Sequence, residues 1–309
     1  MKKWFLSFLI LAFTGSASAS MFVQDSLNLR KTPWSFTGFS IASLEPDQLS
    51  DGGGRLQSYN YASINYRLSM RDRVSLRLPF NYNTAGYDRF NGECVQNQEW
   101  AVGDPIIGYT NYNLVLLPGE IDTFWNGRIY LPVSNTSQDQ GRILRARNRF
   151  IFSRMLTQKL EIAYRDTFNY YHQAKTTYVG KHADDQCNLV DNDNPSNTKK
   201  YDWEQLVALW YSLGKNFGIS WQGGMRTEMR NASNTIETSR QAFGRLREIS
   251  AFMGPAIRFS VSDDINMILT YYDVAEFSGY REDRQDLLSD LGTFKSKNTE
   301  ISLLTFFRF

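Results

Sequence analysis

The sequence predicts an all-β fold: an antiparallel, up-and-down transmembrane β-barrel of about 12 strands that follows a cleaved signal peptide. Three observations lead to this class: the character of the first 19 residues, an aromatic content of 15% in a chain of negative mean hydropathy, and repeated segments of alternating polarity. In a membrane barrel, strands alternate between apolar lipid-facing and polar interior-facing residues, and aromatic girdles mark both interfaces.

The N-terminus has the three parts of a secretory signal peptide. A short basic start, with Lys2 and Lys3, precedes an apolar run over 4–13, and Ala17-Ser18-Ala19 forms an A-x-A cleavage site. A helical membrane anchor is the alternative, but this run is shorter than the roughly 20 residues that a spanning helix needs. We therefore expect residues 1–19 to be removed and residues 20–309 to form the barrel.

Strand-like segments recur along the chain, and the connections between them alternate between short and long. The candidate strands are 33–44, 57–68, 74–84, 101–115, 122–133, 143–155, 160–172, 202–213, 217–229, 247–261, 265–276 and 298–309. Short periplasmic turns and long extracellular loops are typical of outer-membrane barrels, as is an even strand number. A soluble β-sandwich also has alternating strands, but it does not need this many segments with aromatic-rich apolar faces.

Charged residues at alternate strand positions predict a positively charged interior. Arg145, Arg147 and Arg149 share one face of their strand, and lipid contact would cost each about 2–4 kcal/mol near the midplane. The residues predicted to face inward are Arg67, Arg77, Arg128, Arg145, Arg147, Arg149, Arg165, Arg226, Arg258, Arg308, Glu161, Glu228, Glu248 and Glu300. Two interpretations stay open: a narrow, anion-preferring pore, or a network of Arg and Glu side chains that closes the lumen.

The end of the chain carries a pattern of alternating apolar residues. Ile301, Leu303, Phe307 and the terminal Phe309 occupy alternate positions, and Thr305 departs from the pattern. This segment resembles the C-terminal strand of outer-membrane β-barrels, which ends in Phe. The resemblance implies that Phe307 and Phe309 form an assembly signal recognised by the barrel-assembly machinery.

A second resemblance covers a small part of the chain. Tyr66-Arg67-Leu68, a turn with Asp72, the run 76–80 and Gly103-Asp104-Pro105-Ile106-Ile107-Gly108-Tyr109 are similar to outer-membrane proteins grouped by phenol meta-degradation. This similarity implies transport of small or aromatic compounds. Any periplasmic hairpin followed by a Gly-Asp strand start could also give this pattern.

Enzyme, cofactor and metal functions find little support in the sequence. The only histidines are His172 and His182, and neither has the neighbours expected in barrel phospholipases or lipid A deacylases. The acidic stretch with Asp184, Asp185, Asp191 and Asp193 lacks the Gly and Glu of a calcium loop. Residues 281–291 have the spacing of a short amphipathic helix that could cap the pore or pack on the rim.

These observations predict a porin-like channel for passive passage of small solutes in the cell outer membrane. The alternative is a structural or adhesion barrel with a closed lumen and functional extracellular loops. The expected partners are outer-membrane lipid, lipopolysaccharide, the barrel-assembly machinery and small solutes. A net charge of +2 argues against a nucleic-acid partner.

The two cysteines are expected to form a disulfide. Cys94 falls in the second outer loop and Cys187 in the fourth, and paired cysteines of exported proteins usually form a disulfide. Such a bridge would contribute at most about 4–5 kcal/mol in a chain-entropy description, and less if the barrel already restrains both loops. Non-reducing peptide mass spectrometry should detect the Cys94–Cys187 cross-link, and reduction should remove it. Alkylation of both thiols in unreduced protein would show instead that both thiols are free.

Overall fold

The computed structural model of the 309-residue chain describes its strands and part of its loops. The described residues are 32–44, 56–83, 99–115, 117–179, 181–183, 189–191, 196–232, 246–262, 264–278 and 299–309. The predicted signal peptide, 1–19, lies outside them. Within the described residues, no helix combines the length and apolar character needed to cross a membrane.

Twelve antiparallel strands form a closed wall. They are β1 (Trp34–Leu44), β2 (Leu56–Arg67), β3 (Asp72–Asn83), β4 (Glu99–Val102) together with β5 (Ile106–Asn111), β6 (Asp122–Tyr130), β7 (Arg142–Met155), β8 (Leu160–Gln173), β13 (Lys199–Ser212), β14 (Phe217–Arg230), β15 (Arg247–Ser262), β16 (Ile265–Ser278) and β17 (Thr299–Arg308). Each strand pairs with its sequence neighbour in the wall, and β1 also pairs with β17. The sheet therefore closes on itself, and within the described residues β4, which pairs with β3 alone, is its one short exception.

Smaller elements occupy the long connections at one end of the barrel. Helix α1 (Asn135–Asp139) lies between β6 and β7. Between β8 and β13, β9 (Thr177–Tyr178) pairs with β12 (Ser196–Asn197), and β10 (Lys181–Ala183) pairs with β11 (Leu189–Asp191). We call this end the loop end and the opposite end, with short connections, the turn end. In outer-membrane barrels these ends are extracellular and periplasmic, respectively.

The predicted up-and-down barrel is confirmed, and all 12 predicted segments contain strands. The prediction of one continuous strand over 101–115 was wrong, because residues 103–105 separate β4 from β5. Pro79 and Pro105 lie beside this break, and neither has a backbone N–H to donate to the neighbouring strand. The N–H of Gly103 still bonds to the carbonyl of Pro79, at 2.9 Å, so the wall stays connected across the break.

Burial is reversed relative to a soluble protein. Large apolar side chains such as Leu209 and Trp221 are exposed on the outer face, whereas Asn126 and Glu161 on the inner face are almost fully buried. A soluble sandwich would place these classes the other way round. An apolar outside and a polar inside are the pattern of a barrel that contacts lipid.

The last strand joins the two ends of the chain. The N–H of Phe309 donates to the carbonyl of Phe36, at 2.9 Å, and the N–H of Phe36 donates back to Phe309, at 3.4 Å. Two positions before, the ring of Phe307 lies over Gly38 of β1, where an added Cβ would stand 3.4 Å from the ring. Phe307 and Phe309 therefore lie at the seam between β1 and β17.

Deletion of Phe309 should lower the yield of folded barrel. The deletion removes the last pair of seam hydrogen bonds and the terminal residue expected to be recognised during assembly. The folded form can be measured by its heat-modifiable migration on gels, together with its level at the cell surface. Phe309→Trp is the matched control, since it keeps an aromatic terminus and should assemble normally. Equal folding and surface levels in the deletion variant would exclude this role for Phe309.

Candidate functional site

The register of the wall determines which side chains share the interior. On neighbouring strands, residues directly opposite each other lie on the same face. Arg128 on β6 is opposite Arg147 on β7, and the pairs next to it are Tyr130 with Arg145 and Asn126 with Arg149. This face continues across β3, β5 and β8 and is the one that carries the buried polar residues.

All the charged residues predicted to face inward lie on this inner face of the wall. They are Arg67, Arg77, Arg128, Arg145, Arg147, Arg149, Glu161, Arg165, Arg226, Glu228, Glu248, Arg258, Glu300 and Arg308. Further acids on the same face, among them Asp202 and Glu204 on β13, were not among the predicted residues. Their alternation with Trp203 and Gln205 could have identified them, but the apolar residues on both faces of β13 obscure the pattern.

Five arginines on neighbouring strands form what we call the basic wall: Arg77, Arg128, Arg145, Arg147 and Arg149. Among the described residues, the ion pairs on the inner face involve other arginines, and none includes these five. Neutral groups hold them instead. Nε of Arg128 donates to Oδ1 of Asn126 at 2.5 Å, and Nε of Arg149 donates to the hydroxyl of Thr167 at 3.3 Å.

Aromatic rings orient two guanidinium groups of the basic wall. The guanidinium carbon of Arg145 lies 4.2 Å from the ring centre of Tyr130 and 5.2 Å from that of Tyr171. The guanidinium of Arg77 lies 5.0 Å from the ring centre of Tyr61. Each such cation–π contact contributes about 0.5–1 kcal/mol at an exposed site and more when desolvated. The rings stabilise the cations without neutralising them.

The two acids nearest the basic wall are engaged by other partners. Asp202 accepts hydrogen bonds from Nδ2 of Asn169 and the hydroxyl of Tyr171, each at 2.6 Å. Glu204 pairs with Arg165, at 2.8 Å. Asn169 also accepts a bond from Arg145, at 3.0 Å, so Asp202 reaches the basic wall only through a neutral amide.

The acids nearer the loop end are bound by cations outside the basic wall. Glu228 is paired with Lys199 and with Arg230, the latter at 2.6 Å, and Arg230 also approaches Glu248 at 3.5 Å. Because these acids are paired locally, no carboxylate of the described residues forms an ion pair with the basic wall, and Asp202 and Glu204 act on Arg145 and Arg149 only through space.

The interior also has an apolar sector. Leu206, Ala208 and Trp210 on β13 pack with Ala256 on β15, and Phe252 and Ile268 border them. All six lie on the same inner face as the arginines. Arg226, two residues from this sector on the neighbouring strand, is exposed, so there is space around its side chain in this part of the interior. The lumen therefore combines a basic wall with an apolar sector.

A buried carboxylate anchors the β6–β7 connection at the loop end. Asp104 accepts hydrogen bonds from the N–H of Ser134, at 2.9 Å, and the hydroxyl of Ser137, at 2.5 Å, and it pairs with Arg142 at 3.3 Å. Ser134 also caps α1, so Asp104 fixes the helix at the rim.

The remaining predicted sites fall partly outside the described residues. Cys94 and Cys187 lie outside them, as do Asp184, Asp185, Asp193 and 281–291, so the disulfide and the capping helix stay predictions. His172 lies on the outer face of β8, opposite Leu144. Within the described residues, no group of three His, Cys, Asp or Glu side chains is arranged to hold a metal ion.

Replacing Asp104 by Ala should loosen the β6–β7 connection while leaving the wall folded. The change leaves the buried Ser137 hydroxyl and Arg142 without their carboxylate partner, and loss of a charged hydrogen-bond partner typically costs about 1.5–3 kcal/mol. Hydrogen exchange should become faster over 134–141 and remain unchanged in β7. Asp139→Ala, an exposed change in the same connection, is the control. Unaltered exchange in the Asp104 variant would mean that other contacts hold this segment.

Comparison with known proteins identifies the fold. No family model and no curated protein matches the sequence. Among solved structures, an outer membrane channel from Pseudomonas putida F1 has a TM-score of 0.55 at 8% identity, covering 95% of this chain and 100% of that one. The KdgM porin in complex with disordered oligogalacturonate has a TM-score of 0.42 at 8% identity, covering 88% and 98%. LpxR from Salmonella typhimurium has a TM-score of 0.39 at 8% identity, covering 87% and 99%.

At such low identity, the likeness to the Pseudomonas channel shows the fold alone. It agrees with the closed wall and with the apolar outer face. The resemblance to the phenol meta-degradation group rests on its few residues and stays a prediction. The chain is a 12-stranded outer-membrane β-barrel with the fold of outer-membrane channels.

Proposed function

We propose that the protein is a porin-like channel for passive passage of small solutes, with a preference for anions. The observation that carries this proposal is the basic wall, whose five arginines have no carboxylate partner among the described residues. Rings of Arg or Lys in a water-filled pore favour anions. The proposal treats these arginines, together with Arg165 and Arg226, as lining the solute pathway.

The arrangement of the basic wall favours a solvent-filled lumen. Arg128 and Arg147 are directly opposite each other, and like charges in that position are destabilising. Water and mobile anions screen such repulsion, whereas a dry interior would strengthen it. A closed structural network would be expected to match each arginine with an acid, as happens for Arg165 and Glu204.

The apolar sector favours organic anions over inorganic anions as solutes. Inorganic anions need only the basic wall, whereas an organic anion with an apolar body could also contact the half-buried Phe252 and Ile268, which border the apolar sector. Burial of apolar surface is favourable at roughly 25 cal/mol per Å². We therefore propose small organic anions as the preferred solutes, with the carboxylate passing along the arginines.

The alternative remains a structural or adhesion barrel with a closed lumen and functional extracellular loops. The hydrogen bonds that join Arg145, Asn169 and Asp202 are of the kind such a lumen would use. We propose a channel rather than an enzyme, because His172 lies on the outer face, away from the interior. Steady single-channel conductance distinguishes the channel from the closed barrel.

Several features of maturation belong to the same proposal. Residues 1–19 would direct export and be removed, leaving 20–309 for insertion. Phe307 and Phe309 would be recognised by the barrel-assembly machinery, and the long loops would contact lipopolysaccharide. A Cys94–Cys187 bridge would join two of these loops.

Replacing Arg145, Arg147 and Arg149 together by Glu should shift the reversal potential in a salt gradient from anion toward cation preference. The change converts three positive charges of the basic wall into three negative ones on the same face. The measurement uses planar bilayers, with folding verified first by heat-modifiable migration. The matched triple change to Lys keeps the charge and should keep the anion preference.

Two results would overturn the proposal. Conductance with unchanged ion preference in the Glu variant would show that these arginines do not line the pathway. Absence of conductance in correctly folded wild-type protein would favour the closed barrel instead.

A further inference from the structure

The outer face of the barrel is mostly apolar, and its polar positions include a patch at mid-height on three adjacent strands. The patch is centred on Asn148 of β7, Asp166 of β8 and Gln205 of β13. Asp166 is opposite Phe150 on one side and Gln205 on the other. Large apolar residues occupy most of the surrounding outward positions, so these three polar side chains need a separate explanation.

The patch lies at the depth of the hydrocarbon core. Each of its three residues is near the centre of a 14-residue strand, and a spanning strand needs only about 9–11 residues. Ionisable residues at such depth are rare in lipid contact and mark a functional surface by default. Asp166 is therefore unsuited to permanent contact with lipid tails.

The side chains of the patch are only partly satisfied within the chain. Oδ1 of Asp166 accepts a bond from the indole of Trp203 at 2.7 Å, and Oδ1 of Asn148 accepts one from the indole of Trp125 at 3.3 Å. The amide nitrogen of Gln205 donates to the hydroxyl of Tyr164 at 2.9 Å. Among the described residues, Oδ2 of Asp166, Nδ2 of Asn148 and Oε1 of Gln205 form no hydrogen bond.

We propose that this patch is the contact surface between two copies of the chain. A two-fold contact brings the same surface together from both copies, so it must be self-complementary. The patch meets this condition, since it offers an unused donor on Asn148 and unused acceptors on Asp166 and Gln205. In the paired arrangement, the amide of Asn148 in each copy donates to Asp166 or Gln205 of the other.

The rings around the patch suit such a contact. Phe150 stacks near Trp125 at a centroid distance of 6.4 Å, and Phe152 stacks near Tyr164 at 6.3 Å. These rings surround the polar centre and would exclude lipid from it when two copies meet. Lipopolysaccharide is a poorer occupant, because its charged groups lie at the membrane surface and its phosphates would be repelled by Asp166.

Native mass measurement in lipid nanodiscs tests the proposal directly. Wild-type protein should have the mass of two chains, and the double variant Asn148→Leu, Asp166→Leu should have the mass of one. Because both changes place apolar groups against lipid, the variant should insert and keep its heat-modifiable fold. The control is Ser40→Leu on β1, a change from polar to apolar at an outward position six strands away from β8 in the wall, which should stay dimeric.

Cross-linking in the native membrane provides a second readout. In a Cys94→Ser, Cys187→Ser background, Gln205→Cys should form a covalent dimer with a short thiol-reactive linker, whereas Leu269→Cys on β16 should not. Wild-type protein of one-chain mass, equal cross-linking at both positions, or a partner of different mass would each overturn the proposal. A double-Leu variant that stays dimeric would overturn it as well.

Discussion

Closure of the β-sheet is the constraint on which the rest of this structure depends. In hydrocarbon, an unpaired backbone N–H or C=O has no water to bind, so a spanning sheet must join its own edges. Here β1 pairs with both β2 and β17, and the terminal Phe309 completes the seam with Phe36. Once the wall is closed, lipid covers one face of every strand and the other face must form the interior. The exposure of Leu209 and the burial of Asn126 follow from that division.

The interior is asymmetric because like residues cluster on neighbouring strands. Arginines on β3, β6 and β7 are held by neutral amides, hydroxyls and tyrosine rings, while the acids of β13 and β14 are bound by other partners. On β13 and β15, beyond β8 in the wall, Trp210, Leu206 and Ala256 form an apolar sector that the half-buried Phe252 and Ile268 border. A solute could therefore meet charged groups at one part of the interior wall and apolar groups at another. Asp166 departs from this arrangement, because it is a carboxylate on the outer, lipid-facing side of the wall, where apolar side chains are expected.

Side-chain period within a strand was predictable from the sequence, whereas relations between strands were not. The spacing of Arg145, Arg147 and Arg149 was enough to place all three on one face. The sequence could not show that Arg128 is opposite Arg147, because register depends on turn geometry and on hydrogen bonds between segments. The break at 103–105 was not predicted either. There, Pro79 and Pro105 lack the backbone N–H groups that two different strands would otherwise donate. Asp202 and Glu204 were not predicted, because β13 is apolar on both faces near the turn end. That Asn148, Asp166 and Gln205 lie together could not be predicted, because it depends on the register of three strands.

The central claim is that the basic wall faces a solvent-filled pathway and has no ion-pair partner among the described residues. Its most direct test is the reversal potential of the unmodified protein across a planar bilayer with a salt gradient. We expect steady conductance and a reversal potential whose sign shows that anions are preferred. The anion preference should become weaker at higher salt concentration, because salt screens the charges of the arginines. A cation-preferring potential would contradict it.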